Sequence, residues 1–289
     1  MTKFIQIHAL TGYSAALVNR DDTGLAKRIN FGGKIRTRIS SQCQKRAWRM
    51  NEGQDAIRQL VDETGDVRTK SLIEKIANGL KDEGLDAETI DAVTDDFLVA
   101  VYGKNAVDPK KRQGLLFGGS EIAFLTEKMR EIVAEEDLKA AAETFRTDYK
   151  KIMDQMRKQG EIGNGLTAAL FGRMVTSDVA ANVDAAIHVA HAFTVHADRS
   201  ESDYFTAVDD LAGPGDSGAG HVGDTEVGSG LFYSYVTIDV DLLVSNLGGD
   251  RALASEVTRN LVRLIASVSP GAKRGPTAPY GYASSLVIE

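Results

Sequence analysis

Residues 34–49, KIRTRISSQCQKRAWR, change their periodicity once and their charge sign never. In KIRTRI the side chains alternate, so Lys34, Arg36 and Arg38 share one face and Ile35, Thr37 and Ile39 the other, the period of a strand. From Ser41 the spacing becomes helical, and Ser41 and Gln44 stand at the S-x-x-Q interval of a capping box. A half-apolar strand that runs directly into a capped helix must bury both against a common core, which requires a layered body of sheet and helix.

The charge in this stretch is as constraining as its period. Between Lys27 and Arg49 there are eight Lys or Arg and no Asp or Glu, although the whole chain carries a net charge of −7. The first fifty residues hold 10 basic and 2 acidic side chains, whereas the rest hold 24 and 39. A solvated face accounts for short charge runs, but eight cations without a counter-charge call for an anionic partner, held by a body that repels polyanions elsewhere.

Composition sets outer limits. With 289 residues, 43% hydrophobic and 26% charged, the chain has the make-up of a globular protein able to bury a large core. No apolar run approaches the ~18 residues of a membrane span, and the N-terminus MTKFIQIHAL lacks the apolar region of a signal peptide. The single cysteine, Cys43, excludes an internal disulfide. The expected location is the cytoplasm, with no membrane partner.

Along the chain, FIQIHAL (4–10) alternates as a half-buried strand. Residues 51–160 repeat apolar side chains at helical spacing: Ile90, Val93, Phe97 and Val101, then Leu125, Met129 and Ile132, then Phe145 and Tyr149. Strand signals return in AAIHVAHAFTVHA (185–197) and GLFYSYVTIDVDLLV (230–244). Between them, residues 202–230 are too Gly-rich for a core element and read as a projecting hairpin with a Gly-rich tip. Residues 251–268 form an amphipathic helix along Val257, Leu261 and Leu264, and YASSLVIE supplies a last strand. Without the helical block and the arm, the order is strand–helix–strand–strand–helix–strand, the split βαβ or ferredoxin-like arrangement used by RNA-recognition modules.

The cations suit a phosphate backbone. Side chains two apart on a strand are separated by roughly 6.6–6.8 Å, so Lys34, Arg36 and Arg38 form a rail. The helix N-terminus that follows favours an anion, and Ser40, Ser41 and Gln42 add neutral donors there. Lys45 and Arg49 are four apart, on one helical face. Gly32 and Gly33 allow close approach of backbone to ligand.

Other candidate chemistry is weaker. His188, His191 and His196 share a segment, but 188 and 191 point to opposite faces of a strand, as do 191 and 196, so no metal site and no cofactor is expected. Asp21 and Asp22 could hold Mg²⁺ and activate water, yet adjacent acids in a loop are more commonly turn-formers; Asp209 and Asp210 pose the same choice. No G-x-S-x-G, P-loop or dinucleotide motif occurs. Met174, Phe205 and Val222 fit ordinary packing or a wedge between bases.

These segments resemble the CasC-type backbone subunit of the type I-E CRISPR surveillance complex, Cascade. The similarity is densest in FIQIHAL, NRDD and FGGKIRTRISSQCQKRAWR. It continues in GRM (172–174), AHAFTVH (190–196), YFTAVDDL (204–211), GSGLFYSY (228–235) and PGAK (270–273). The resemblance implies an α+β fold with an RRM-like palm (1–50, 165–201 and 231–289), helical fingers inserted at 51–164 and a β-hairpin thumb at 202–230. It implies a non-catalytic subunit of which several copies stack along a CRISPR guide RNA. The palms grip guide phosphates, the thumbs displace bases at intervals, and the guide is presented to a target DNA strand in company with other Cascade subunits. By the same resemblance Arg20, Lys27, Ser40, Gln42, Lys45, Arg46 and Arg49 are guide contacts; Lys34 and Arg38 of the rail and Arg173 of GRM are candidate RNA contacts beside them. Met174, Phe205, Thr206 and Val222 would stand at the displaced base. The alternative is a metal-dependent ribonuclease acting through Asp21 and Asp22, as in the related backbone subunits of type III complexes.

Overall fold

The computed structural model describes residues 3–61, 66–104, 106–163, 165–207, 210 and 221–289. In chain order the elements are β1 (Phe4–Ala16), β2 (Arg28–Phe31), β3 (Lys34–Ile39), α1 (Ser41–Arg49), β4 (Val67–Thr69), α2 (Leu72–Asp82), α3 (Ala87–Tyr102), β5 (Leu115–Phe117), α4 (Gly119–Val133) and α5 (Leu138–Gln159). There follow α6 (Leu166–Phe171), β6 (Ile187–Val189), β7 (Ala192–Thr194), β8 (Ser200–Ala207), β9 (His221–Asp239), α7 (Val240–Asn246), α8 (Arg251–Ser267) and β10 (Ala283–Ile288). They form two compact units: residues 1–60, 187–240 and 252–289, and residues 61–186 with 241–251.

The first unit is an antiparallel sheet in the order β10-β1-β9-β7-β3-β2, with β6 and β8 also paired to β9. Strands β1 and β7 both run antiparallel to β9, which lies between them; β9 and β10 likewise flank β1. With α1 before β6 and β7, and α8 before β10, this is the expected split βαβ order. Its packed face carries Ile7, Ala9, Ile39, Ala192, Phe232, Val236 and Ile238, all buried. Helix α8 buries Ala254, Val257, Leu261 and Leu264, the stripe that the 3.6 period predicts. The fold is α+β.

The Gly-rich arm is a hairpin. Strands β8 and β9 pair from Ser200↔Gly228 to Ala207↔His221, while β9 pairs β1 only from Gly228 onward. The ribbon therefore leaves the sheet at residue 228. Residues 208–209 and 211–220 at its tip, Asp209 among them, lie outside the described residues.

The second unit is mainly helical. Ile90, Val93, Phe97, Val101, Leu125, Met129, Ile132, Phe145 and Tyr149 are buried in one cluster, matching the apolar spacing of the sequence. Its boundary differs from the expected one, because residues 165–186 belong here and not with the sheet. The reason is tertiary. Thr167 N–H donates to the Asp66 carboxylate, and Arg173 donates to Ala181 O and Glu121.

Candidate nucleic-acid interface

The basic segment folds into a hairpin and a helix. Phe31 pairs with Lys34 across Gly32 and Gly33, whose φ angles of 64° and 71° are those of a two-residue type I′ turn. The two glycines thus close the hairpin and set its register. Lys34, Arg36 and Arg38 then emerge on one face of β3, as the alternation requires. Arg36 donates to Phe31 O at 3.1 Å and Thr194 O at 2.8 Å. Arg38 donates to Arg28 O at 3.0 Å and bonds His191 Nδ1 at 2.8 Å.

Helix α1 starts one residue earlier than the capping box predicts. Ser40 is the N-cap: its φ of −68° and ψ of 151° are extended, and its hydroxyl accepts from Cys43 N–H. Ser40 N–H donates to Asn19 Oδ1 at 2.9 Å, which ties the helix start to the preceding loop. The Ser41–Gln44 box does not form, because the Gln44 amide turns inward and donates to Ala190 O at 2.9 Å. Gln44 and Trp48 are buried, four apart, and hold that face against the unit. Gln42 and Arg46 are exposed, and Arg49 follows Arg46 by three residues on the same stripe. Burial pulls the Lys45 ammonium below its usual pKa, and a phosphate beside it would push that pKa back up.

The loop before β2 completes the site. Arg20 bridges to Ala26, and Asp21, Asp22, Lys27, Arg28 and Arg38 line an open pocket of about 550 Å³. Asp21 Oδ1 accepts from Thr23 N–H, Thr23 Oγ1 and Leu25 N–H, the turn-forming role. The Thr23 hydroxyl bond first, with the backbone bonds, holds its carboxyl below the usual range against a desolvation that raises it. Among the described residues no carboxylate pairs with Lys27, Lys34, Arg36, Arg38 or Arg46. Arg28, on the opposite face of the hairpin, is instead paired to Asp198 at 2.7 Å and to Glu226. So Arg28 is neutralised within the fold, whereas the cations of the other face carry no carboxylate partner among the described residues. Among the described residues no group of three or more His, Cys, Asp or Glu is placed to hold a metal.

The expected residues do not all fall together. Arg173 is buried and bonded to Glu121 at 2.8 Å and to Ala181 O at 2.8 Å, so its charge is consumed inside the helical unit and it is not available to a guide. Met174 is 71% exposed in that same unit. Phe205, Thr206 and Val222 are exposed on the hairpin, with Thr206 and Val222 directly opposed. Lys273, of the PGAK motif, had no role in the sequence reading. It donates to Thr225 Oγ1 and stands 5.9 Å from the centroid of the Phe205 ring. Arg28, too, was missed as the brace of the hairpin base; the only sequence signal was Glu226 within the Gly-rich arm.

A family model described as "CT1975-like protein" matches residues 5–289. The chain belongs to this family. The match runs past Lys273 through β10, so the family pattern includes the last strand. A chain of the solved structure described as "CRISPR RNA-guided surveillance complex, pre-nicking" is 29% identical, with a TM-score of 0.77, covering 99% of this chain and 78% of that one. A chain from a "CRISPR RNA-guided surveillance complex" has the same fold, at 24% identity and a TM-score of 0.54, covering 99% of this chain and 68% of that one. No curated protein matches.

Proposed function

We propose that this CT1975-like protein is an RNA-gripping subunit of a CRISPR surveillance complex, in the type I-E manner. Several copies line up along a guide RNA and present it to a target DNA strand, alongside the complex's other subunits. The observation that carries this reading is the division of charge on the β2–β3 hairpin and α1. Arg28 is neutralised within the fold, whereas Lys27, Lys34, Arg36, Arg38 and Arg46 have no carboxylate partner among the described residues. Cations on a strand and a helix read phosphate and not base sequence, which suits a subunit that must accept any guide. The 29% identity over 99% of the chain to part of an RNA-guided complex points the same way.

In this reading Ser40, Gln42, Lys45, Arg46 and Arg49 hold guide phosphates, while Phe205, Thr206 and Val222 on the hairpin and Met174 displace a base. The subunit itself is not a nuclease. The test is the Lys45→Glu/Arg49→Glu variant expressed with its operon partners: the protein folds by circular dichroism but co-purifies without RNA. Undiminished RNA loading would overturn the proposal.

A ribonuclease reading has one observation in its favour, the presence of Asp21 and Asp22 in the pocket lined by Lys27, Arg28 and Arg38. It requires Mg²⁺-dependent cutting of guide-paired RNA that Asp21→Ala/Asp22→Ala abolishes. The engagement of Asp21 in its own turn argues for no such cutting.

A further inference from the structure

The rail shares its face with a row of aromatic rings. Cross-strand pairing puts Leu10 with Tyr233, His8 with Tyr235, Phe193 with Tyr233, Arg38 with Phe193, and Lys34 with Phe31. All of these point away from the packed face that bears Ile7, Ile39, Ala192 and Val236. The rings touch in sequence. Phe31 and Phe193 have centroids 4.9 Å apart, Phe193 and Tyr233 6.2 Å, Tyr233 and His8 6.1 Å, and His8 and Tyr235 5.0 Å. Arg36 lies 5.7 Å over the Phe31 ring.

These side chains are satisfied among themselves. His8 Nδ1 bonds the Tyr233 hydroxyl at 2.8 Å, and the Tyr235 hydroxyl donates to Gln6 Oε1 at 2.6 Å. Arg38 bonds His191. Phe31 is 54% exposed, and the other four rings are partly exposed. An apolar row that only filled a core would not keep phenol and imidazole edges at the surface or carry three cations along its flank. The surface offers π-faces and positive charge together, and a single-stranded nucleic acid is the polymer that presents both stackable bases and phosphates. An acidic peptide would meet the cations but leave the rings unused.

We propose that this sheet face is a base-stacking nucleic-acid surface beyond α1, which shares the rail cations with the guide reading and adds the row of rings. It holds a single strand with bases stacked on Phe31, Phe193, Tyr233 and Tyr235 and phosphates along Lys34, Arg36 and Arg38. The proposal extends the nucleic-acid reading above without depending on guide loading at α1.

The probe is an oligouridine of about ten nucleotides carrying 4-thiouridine, within the usual site size of stacking platforms. It is photocrosslinked to the unaltered full-length protein, and the crosslinked peptides are identified by mass spectrometry. Crosslinks at Phe31, Tyr233 or Tyr235 that persist in Lys45→Glu/Arg49→Glu support the surface, whether or not that variant still loads guide. Crosslinks confined to residues 40–49 overturn it and leave the guide-gripping proposal standing. In titrations, Tyr233→Leu/Tyr235→Leu lowers affinity for oligouridine tenfold or more, as expected for lost stacking. It leaves affinity for an abasic oligomer of equal length unchanged. Equal loss for both oligomers, no loss for either, or displacement of the RNA by polyglutamate as readily as by unlabelled RNA would each refute base stacking here.

Discussion

The ring of Phe205 lies across Gly223, its cross-strand partner in the hairpin, so that a Cβ at residue 223 would fall 2.7 Å from Phe205 Cζ. Only glycine lets the ring rest there, between Lys273, 5.9 Å from its centroid, and His221, also at 5.9 Å. The clash in Gly223→Ala is with the far end of a side chain that can swing outward, so the stability cost stays under about 1 kcal/mol, at the low end for added bulk. The ring nevertheless leaves its place. In a guide-loaded assembly, the fluorescence of 2-aminopurine at the displaced positions falls towards that of stacked base, while urea unfolding barely changes. Retention of the bright, unstacked signal would show that Phe205 does not act from this position.

Arg173 separates a structural role from an interfacial one. Its guanidinium bonds Glu121 at 2.8 Å, and Arg157 also approaches Glu121, at 3.7 Å. Arg173→Met removes one member of a buried ion-paired group and leaves Glu121 under-compensated, a loss of about 3 kcal/mol, at the low end for such breaks because Arg157 remains. The helical signal should therefore melt at lower urea, while the folded variant binds RNA with parental affinity. Weakened RNA binding at unchanged stability would return Arg173 to the interface.

The features legible in the sequence were local ones. The β3 rail and the α1 stripe are set by periodicities of two and of 3.6 within sixteen residues, and the β8–β9 hairpin by the clustering of glycine. What stayed hidden depended on distant partners. The start of α1 shifted by a residue because Gln44 bonds Ala190 O, 146 positions away. Residues 165–186 joined the helical unit through Asp66 and Glu121, which no local pattern connects to them. The aromatic face draws on β1, β2, β7 and β9, and only cross-strand register brings His8, Phe31, Phe193 and Tyr235 into one row.

Arg46 offers a quantitative check on phosphate contact. It is exposed on α1, and no carboxylate pairs with it among the described residues. Arg46→Gln keeps a good helix former and removes one charge. If it neutralises one phosphate of a single strand, the slope of log affinity against log salt should become shallower by about 0.7. Lys158→Gln, on α5 and paired to Asp154 at 2.6 Å, should leave the slope alone. Fluorescence anisotropy over a salt series measures both; equal slopes for Arg46→Gln and the parent would remove Arg46 from the interface.

His191 gives the interface a pH dependence whose sign follows from its surroundings. Desolvation first, then the nearby charges of Arg38 and Lys27, lower its pKa in the unliganded protein, so the imidazole is neutral at neutral pH and bonds Arg38 at 2.8 Å. A phosphate seated against Arg38 offsets the positive charge that opposes protonation, and the pKa of His191 rises in the complex. A group with the higher pKa in the bound state takes up a proton on binding. Affinity therefore increases as pH falls through the bound-state pKa, from about pH 7.5 towards about 5.5, the range in which histidine titrates. Anisotropy titrations at constant ionic strength should show this rise in the parent and a flatter profile in His191→Gln. A profile in His191→Gln as steep as the parent's would place the phosphate away from Arg38 and His191.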